Sequence, residues 1–361
     1  MTGMDNLEPV PFDSGRWQFH AAESRVEEHL GRRSLRLGAG IATVAGLQFV
    51  DGLIEFDVAF TGDRGFMGGV WRVQDPGNYE EFYLRPHQSG NPDATQYTPV
   101  WNGVSGWQLY HGKRYSVPVV HRPNAWTRVR VLFAGSQAEI YVDDQEEAVL
   151  LVEELKRPVA AGGVGVSGGN FATAHFSNFC CDATAAPPFK PRAHLRRPPE
   201  TAPPGVIPVW WISDAFRESA LDGAVRLDGG AGEVAAARRW TRLAAESSGL
   251  ANLARVQGIV PPDNTVFARQ VIVAEVETTR ELVFGWSDRI RVFLNGRLLF
   301  RGDDTTRSRD YRFLGSIGYF DALYIPLARG QNELLMAVSE DQGGWGLQAA
   351  LADRAGIALM D

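Results

Sequence analysis

A polar and aromatic stretch between Asn78 and Tyr115 carries the side chains with the clearest chemical potential in this sequence. Its candidate hydrogen-bonding residues are Arg85, His87, Asn91, Asp93, Gln96 and His111. Its candidate stacking residues are Tyr97, Trp101, Trp107 and Tyr110. Sugar hydroxyls need paired donors and acceptors, and the apolar C–H face of a pyranose lies flat on an aromatic ring. The stretch therefore indicates carbohydrate recognition.

The same stretch also has a purely structural interpretation. A large β-sandwich needs aromatic residues in its core, and a long loop needs polar side chains to satisfy its backbone. Both interpretations stay open at the level of the sequence.

Catalysis on a sugar is a second possibility for these residue types. Glycoside hydrolysis uses two carboxyl groups about 5–5.5 Å or 6.5–9.5 Å apart. Glu55 and Asp57 alternate along one strand, which puts them about 7 Å apart on one face. Glu80, Glu81 and Asp93 are further carboxylates near the polar stretch. An acidic outward face is also what any solvated strand shows.

A histidine beside a carboxylate is the alternative catalytic arrangement. His87 or His111 with Asp93 could act as a general base, as sugar elimination or epimerisation requires. We take His87, Asp93 and Glu80 as the candidate catalytic residues.

Metal and cofactor signals are weak. The seven histidines show no close pairing, so no zinc site is predicted. A structural Ca²⁺ would suit a β-sandwich, but Asp303 and Asp304 lack a recognisable calcium loop. The sequence therefore predicts no cofactor.

The elements that must position these residues are β-strands. The chain has 39 glycines and 20 prolines, which fall as turns between short β-branched and aromatic runs. Alternation of apolar and polar residues predicts strands and one hairpin in the first half of the chain. These segments are 53–60, 65–73, 78–85, 126–133, 138–143, 163–167 and 173–179. The pattern predicts an all-β fold, with two antiparallel sheets packed as a sandwich.

A proline-rich segment divides the chain. Residues 183–208 hold eight of the 20 prolines, which favours an extended, semi-rigid connector. It separates residues 1–182 from residues 209–361. In the second piece, alternating runs surround Asn295–Gly296, a strong hairpin signal. We expect two antiparallel β-sandwich (jelly-roll) domains joined by this linker.

Composition excludes several partners. The net charge is -7, so there is no overall basic field for nucleic acid or for an anionic membrane surface. No apolar run approaches the roughly 20 residues that span a bilayer. Adjacent Cys180 and Cys181 exclude a disulfide framework. The first residues lack the form of a signal peptide, so we expect a cytoplasmic protein, or a periplasmic or secreted one if a leader has been removed.

Parts of both pieces resemble known families. The first piece is similar to the concanavalin A-like (laminin G-type) jelly rolls, and within them to the 3-keto-disaccharide hydrolase-like domains of bacteria. The residues that carry this resemblance are 52–57, 68–72, 78–80 and 138–143. The Glu-x-Asp-x-x-Glu strand of the laminarinase-type members is absent. Glu55 and Asp57 match its first two acidic residues, but Phe60 stands where its final Glu would be. The second piece, at 292–297 and 330–334, is similar to the galactose-binding-like jelly rolls appended to glycosidases.

These observations lead to three hypotheses. The first is a carbohydrate-binding protein whose glycan or glycoside lies in a groove of the first sandwich. The second is a glycoside hydrolase or lyase that uses the same groove. The third is a scaffold whose aromatic surface binds another protein.

Overall fold

The computed structural model describes residues 7–143, 145–169, 171–183, 189–190, 194–309 and 314–360. Regular structure is almost entirely β-strand, arranged in sheets whose described pairs are antiparallel. The predicted all-β, antiparallel fold class is therefore confirmed. Among the described residues, no helix is both long and apolar enough to cross a membrane.

The chain divides into two compact units. The first contains residues 1–100 and 110–198, and the second contains residues 101–109 and 199–361. The division after residue 198 falls inside the predicted connector at 183–208. Residues 184–188 and 191–193 of that connector lie outside the described residues.

Short strands follow one another up to residue 182. They are β1 (Glu8–Pro9), β2 (Trp17–Ala21), β3 (Ser24–His29), β4 (Arg32–Leu37), β5 (Gly40–Val44), β6 (Gly52–Ala59), β7 (Met67–Asp75), β8 (Asn78–Leu84), β9 (Thr95–Trp101), β10 (Val104–Ser105), β11 (Ser116–Val117), β12 (Trp126–Ala134), β13 (Gln137–Val142), β14 (Leu150–Val152), β15 (Gly163–Gly168) and β16 (Ala174–Asp182). A single 3-10 turn, Pro86–Gln88, follows β8 among the described residues of this region. All seven segments predicted from alternation are strands.

The first unit contains two sheets, here called sheet I and sheet II. Sheet I has the order β14-β13-β12-β6-β16-β4-β3, with β1 beside β16. Sheet II has the order β9-β8-β7-β15-β5-β2, with β11 beside β9. The strands β7, β8 and β9 are thus neighbours in sheet II, and β8 and β9 carry four of the predicted site residues, Glu80, Gln96, Tyr97 and Trp101.

The core of the first unit lies between the two sheets. The rings of Trp71 on β7 and Phe133 on β12 stack with their centroids 5.8 Å apart. A Cβ on Gly69 would lie 2.8 Å from the ring of Phe56 on β6. Since Trp71 pairs with Glu80 and Gly69 pairs with Phe82, those two side chains of β8 also face the core.

The second unit contains strands β17 (Val209–Ser213), β18 (Trp240–Ala244), β19 (Ala251–Asn252), β20 (Thr265–Ala274), β21 (Thr278–Ser287), β22 (Arg289–Leu294), β23 (Arg297–Asp303), β24 (Asp321–Leu327), β25 (Gly330–Ser339), β26 (Gly346–Leu351) and β27 (Ile357–Met360). One sheet has the order β18-β17-β20-β25-β22-β23, with β27 beside β20, and the other has the order β19-β26-β21-β24. Helix α1 (Gly229–Ala236) and 3-10 turns at Glu218–Leu221 and Leu253–Arg255 complete it. Buried Trp210, Trp286 and Trp345 lie in its core.

The predicted Asn-Gly hairpin is present in this unit. Asn295 and Gly296 both have positive φ angles, 48° and 74°, as a type I′ turn requires. Leu294 pairs with Arg297 across the turn. Local turn chemistry therefore sets the register of β22 and β23.

Candidate functional site

The alternation along β8 defines a second surface of sheet II. Glu80, Phe82 and Leu84 face the core, so Tyr79, Glu81 and Tyr83 face away from it. Residues directly opposite one another on paired strands project to the same side. The surface that faces away from the core, which we call the outer face, includes Ile41, Thr43, Val70, Tyr79, Glu81, Tyr83, Gln96, Thr98, Val100 and Ser167. Of these side chains, Tyr79 and Glu81 are half-buried and the others are buried.

At the middle of the outer face, Gly68 and Gly165 allow the backbones of neighbouring strands to approach closely. Gly68 pairs with Tyr83 and with Ser167, and Gly165 pairs with Val70. A Cβ on Gly68 would lie 1.8 Å from a carbonyl oxygen of β8, and one on Gly165 would lie 1.9 Å from a carbonyl oxygen of β5. Only glycine fits at these positions, and the larger side chains stand around a floor of backbone.

Glu81 is the carboxyl group at the centre of the outer face. It is flanked on its own strand by Tyr79 and Tyr83, and it pairs with Val70 and Thr98. Burial raises the pKa of Glu81 to about 7. Near neutral pH, this half-buried carboxyl therefore exists in both forms: it can donate a hydrogen bond when protonated and accept several when ionised.

A hydrogen-bond network lies at one end of the outer face. Arg85 donates to a carboxylate oxygen of Asp93 at 2.6 Å, to the Tyr83 hydroxyl at 2.8 Å and to Oε1 of Gln96 at 2.8 Å. Tyr83 also donates to that amide oxygen, at 3.0 Å. The Gln96 amide nitrogen donates to the carbonyl of Tyr110 at 2.6 Å. The network fixes the orientation of Tyr83 and leaves Asp93 partly exposed.

His87 lies beside this network, in the 3-10 turn that follows β8. Its ring meets the edge of Phe66, with the centroids 5.5 Å apart. Burial lowers the pKa of His87, and the nearby charges of Arg85 and Arg64 lower it further. Its buried Nδ1 atom has no hydrogen-bond partner among the described residues. His87 is thus a neutral imidazole at neutral pH.

Two of the predicted site residues lie in the core instead. Glu80 is fully buried, and the hydroxyl of Tyr97 donates to it at 2.6 Å. The backbone nitrogens of Lys156 and Arg157 donate to Tyr97 and to Glu80. Burial raises the pKa of Glu80. A ligand cannot reach either side chain, so we leave Glu80 and Tyr97 out of the proposed site.

The other predicted residues are dispersed. Tyr110 is buried, His111 is exposed, and the side chain of exposed Asn91 donates to Gln88. Trp101 and Trp107 belong to the segment 101–109, which groups with the second unit. The structure therefore brings together Arg85, Asp93, Gln96 and His87 from the predicted set.

The acidic pair on β6 is engaged in ion pairs. A carboxylate oxygen of Asp57 lies 2.6 Å from Arg32, and Glu55 lies 2.6 Å from Arg130. Both acids are on the side of sheet I that faces away from the core. These contacts are those of a polar sheet surface and give the pair no free carboxylate for catalysis.

Sequence reasoning missed the most informative carboxyl. Glu81 was considered beside Glu80, but the choice between them depends on which face of β8 is buried. The apolar residues Phe82 and Leu84 share a face with Glu80, and that pattern was the signal that identifies Glu81 as the outward residue.

A metal centre finds no support in the described part of the chain. There, no three or more histidine, cysteine, aspartate or glutamate side chains are grouped so that they could hold a metal ion.

Comparisons with known proteins assign no family. No protein-family model matches the chain, and no curated protein matches it. Similar solved structures include the carbohydrate binding module CBM66 from Bacillus subtilis, at 16% identity over 46% of this chain and 95% of that chain, with a TM-score of 0.36. A Bacillus subtilis protein with a galectin-like fold shares 8% identity over 49% and 94%, with a TM-score of 0.35. The Bacillus licheniformis beta-glucanase shares 14% over 50% and 98%, with a TM-score of 0.32.

Proposed function

We propose that this protein binds a carbohydrate on the outer face of sheet II. The observation that carries the proposal is the position of Glu81. Its carboxyl stands between Tyr79 and Tyr83 on one strand, beside a floor of backbone at Gly68 and Gly165. A hydrogen-bonding group flanked by aromatic rings suits a ligand that has both hydroxyls and apolar C–H faces.

The network below Tyr83 supports binding by holding the outer face in one arrangement. Arg85 contacts Tyr83, Gln96 and Asp93 at once, so these side chains do not have to be ordered when a ligand arrives. Less side-chain entropy is then lost on binding. Half-buried Tyr79 and Glu81 supply the direct contacts, and the buried residues of the network position them.

Binding is favoured over cleavage by the state of the other candidate acids. Asp93 is held by Arg85 at 2.6 Å. Glu80 is buried in the core, where the hydroxyl of Tyr97 donates to it. Glycoside hydrolysis uses two carboxyl groups, and neither of these two is free to act beside Glu81. We therefore propose a binding protein rather than a two-carboxylate glycosidase.

Saturation-transfer NMR with a panel of neutral and acidic oligosaccharides tests the function. We expect saturation transfer with the wild-type protein and a strong reduction with Glu81→Gln. The matched control is Glu28→Gln, an exposed glutamate on β3 of sheet I, which should bind as the wild type does.

The same spectra, followed for hours, test the alternatives. New anomeric or vinylic signals would identify a hydrolase or a lyase and would contradict a simple binding function. Absence of transfer to every oligosaccharide would contradict carbohydrate binding and would favour a protein-interaction scaffold.

A further inference from the structure

An aromatic and cationic cluster lies beside the outer face, and apart from His87 none of its residues belongs to the candidate site described above. Phe66 links the two, because its ring meets the edge of Tyr83 at 5.6 Å and the edge of His87 at 5.5 Å. Phe171 lies next to Phe66, with the ring centroids 6.3 Å apart. We call Arg64, Phe66, His87 and Phe171 the rim cluster.

Phe171 is held in an unusual state for an apolar residue. Its side chain is 68% exposed, and its backbone φ angle is +83°. A bulky residue pays a steric cost in that region, and an exposed phenyl ring gains little from the hydrophobic effect. Residues kept in such conformations occur preferentially at binding sites. The exposed ring is therefore positioned as a contact surface.

The charge at the rim cluster is positive. The guanidinium carbon of Arg64 lies 4.5 Å from the centre of the Phe171 ring, so the cation is stacked on one face of this exposed ring. Arg64 forms no ion pair with the described residues, and neighbouring Asp63 accepts a hydrogen bond from the Thr61 hydroxyl at 2.8 Å. An arginine that stacks on an aromatic ring keeps its fork of N–H donors for an anion.

His87 adds a polar group on the inner side of the cluster. Its Nδ1 atom is buried and without a hydrogen-bond partner among the described residues. The rest of the His87 side chain is half-buried. The cluster thus offers a ring face, a cation and a half-buried imidazole.

We propose that the rim cluster is a subsite for an anionic sugar, one that carries a carboxylate or a sulfate group. The ring of the sugar stacks on Phe171 and Phe66, its anionic group pairs with Arg64, and a hydroxyl bonds to His87. This inference rests on the proposed function and adds the substrate class to it.

Titration calorimetry on the full chain tests the subsite at low salt. The probes are a galacturonate tetrasaccharide and a hyaluronan tetrasaccharide, each beside its carboxyl-reduced neutral form, and a sulfated form of each neutral one. We expect at least one anionic probe to bind at least fivefold more tightly than its neutral form. The carboxylate and sulfate arms show which anion is preferred.

Variants connect the preference to the rim cluster. Arg64→Gln should abolish the anionic preference, and Phe171→Ala should weaken binding of the anionic probe at least fivefold. Arg25→Gln, which removes an exposed arginine from β3 of sheet I, is the matched control and should keep the preference. Thermal melts of all variants show whether each one is folded.

Different outcomes overturn different proposals. Neutral forms that bind as tightly as the anionic probes, with affinity still lost in Glu81→Gln, would overturn the anionic subsite and leave the proposed function intact. An anionic preference that survives Arg64→Gln would also overturn the subsite. Binding of no probe would overturn both.

Discussion

Glu80 and Glu81 are neighbours in the chain, yet their carboxyl groups face opposite sides of sheet II. Glu80 is buried with Tyr97 and receives hydrogen bonds there, whereas Glu81 stands half-buried on the outer face. The types of these residues were evident from the sequence, but their roles were not. The residue type alone does not distinguish a buried structural carboxyl from an outward one. The distinction depends on which face of the strand packs against the core. The buried pair stabilises the fold, and the outward one is the candidate ligand contact.

The raised pKa of Glu81 predicts a stability change with pH. Its pKa is about 7 in the folded protein against an ordinary value of 4.5, so the folded state keeps a proton that the unfolded state has released between these values. Stability therefore falls as pH rises from 4.5 to 7. Glu81→Gln lacks this group, and relative to wild type it should gain roughly 3 kcal/mol in the free energy of unfolding between pH 4.5 and pH 8.

Urea unfolding at both pH values measures this change. Glu28→Gln, on the surface of sheet I, is the control and should change by less than about 0.5 kcal/mol. If the difference in unfolding free energy between Glu81→Gln and wild type is the same at both pH values, the pKa of Glu81 is not raised in the folded protein and the prediction is wrong.

The buried pair gives a second prediction at this scale. Tyr97→Phe removes the hydroxyl that donates to Glu80 at 2.6 Å and accepts from the backbone of Lys156 at 2.7 Å. We expect a loss of about 2 kcal/mol in the free energy of unfolding, without a change in glycan affinity. Tyr324→Phe, at a side chain that is 68% exposed, is the control. A tenfold loss of affinity at unchanged stability would return Tyr97 to the binding site.

At the scale of the element, alternation predicted the strands that have one buried face. β6 is an example, since Ile54, Phe56 and Val58 are buried and the intervening acids lie in ion pairs. The strands predicted from alternation do not include β9. Six of its seven residues are buried on both faces, so it shows no alternation. Gln96 and Tyr97 therefore lie on a strand, and their side chains project to opposite faces of sheet II.

The glycines of sheet II give an element-scale prediction. Gly165→Ala on β15 places a Cβ 1.9 Å from the carbonyl oxygen of Ala42 on β5, so the two strands must move apart. We expect a loss of about 2–3 kcal/mol in the free energy of unfolding. Gly15→Ala is the control, because no atom lies within 4 Å of its added Cβ. Urea unfolding that gives the same value for both variants would contradict the close approach of β15 to β5.

At the scale of the whole molecule, the two compact units are not two consecutive pieces of the chain, because residues 101–109 group with residues 199–361. The sequence predicted a connector at the proline-rich segment 183–208 and no other break in the chain. The grouping of residues 101–109 with the second unit had no signal in composition, because this segment continues the same aromatic and polar stretch. Within the second unit, Gln108 is fully buried and bonds to Ser287 at 2.8 Å and to the carbonyl of Leu314 at 3.0 Å. Such long-range contacts cannot be inferred from a local pattern.

Gln108 carries the prediction at this scale. Gln108→Ala leaves the Ser287 hydroxyl and the Leu314 carbonyl without this amide, which should cost about 3 kcal/mol of unfolding free energy. Gln331→Ala, at an exposed position of β25, is the control and should be nearly neutral. A calorimetric melt of Gln108→Ala that matches the control would show that segment 101–109 is not anchored in the second unit.

The central claim is that a carbohydrate binds on the outer face. The most direct test is NMR of the protein with ¹³C-labelled tyrosines, titrated with an oligosaccharide that showed saturation transfer. Tyr79 and Tyr83 lie beside Glu81, whereas Tyr141 is on sheet I and Tyr324 is exposed in the second unit. Signals can be assigned with Tyr→Phe variants. We predict that the Tyr79 and Tyr83 signals shift with ligand concentration and that those of Tyr141 and Tyr324 do not. A shift of the Tyr324 signal alone would contradict the claim. Tyr79 and Tyr83 signals that do not change would contradict it as well.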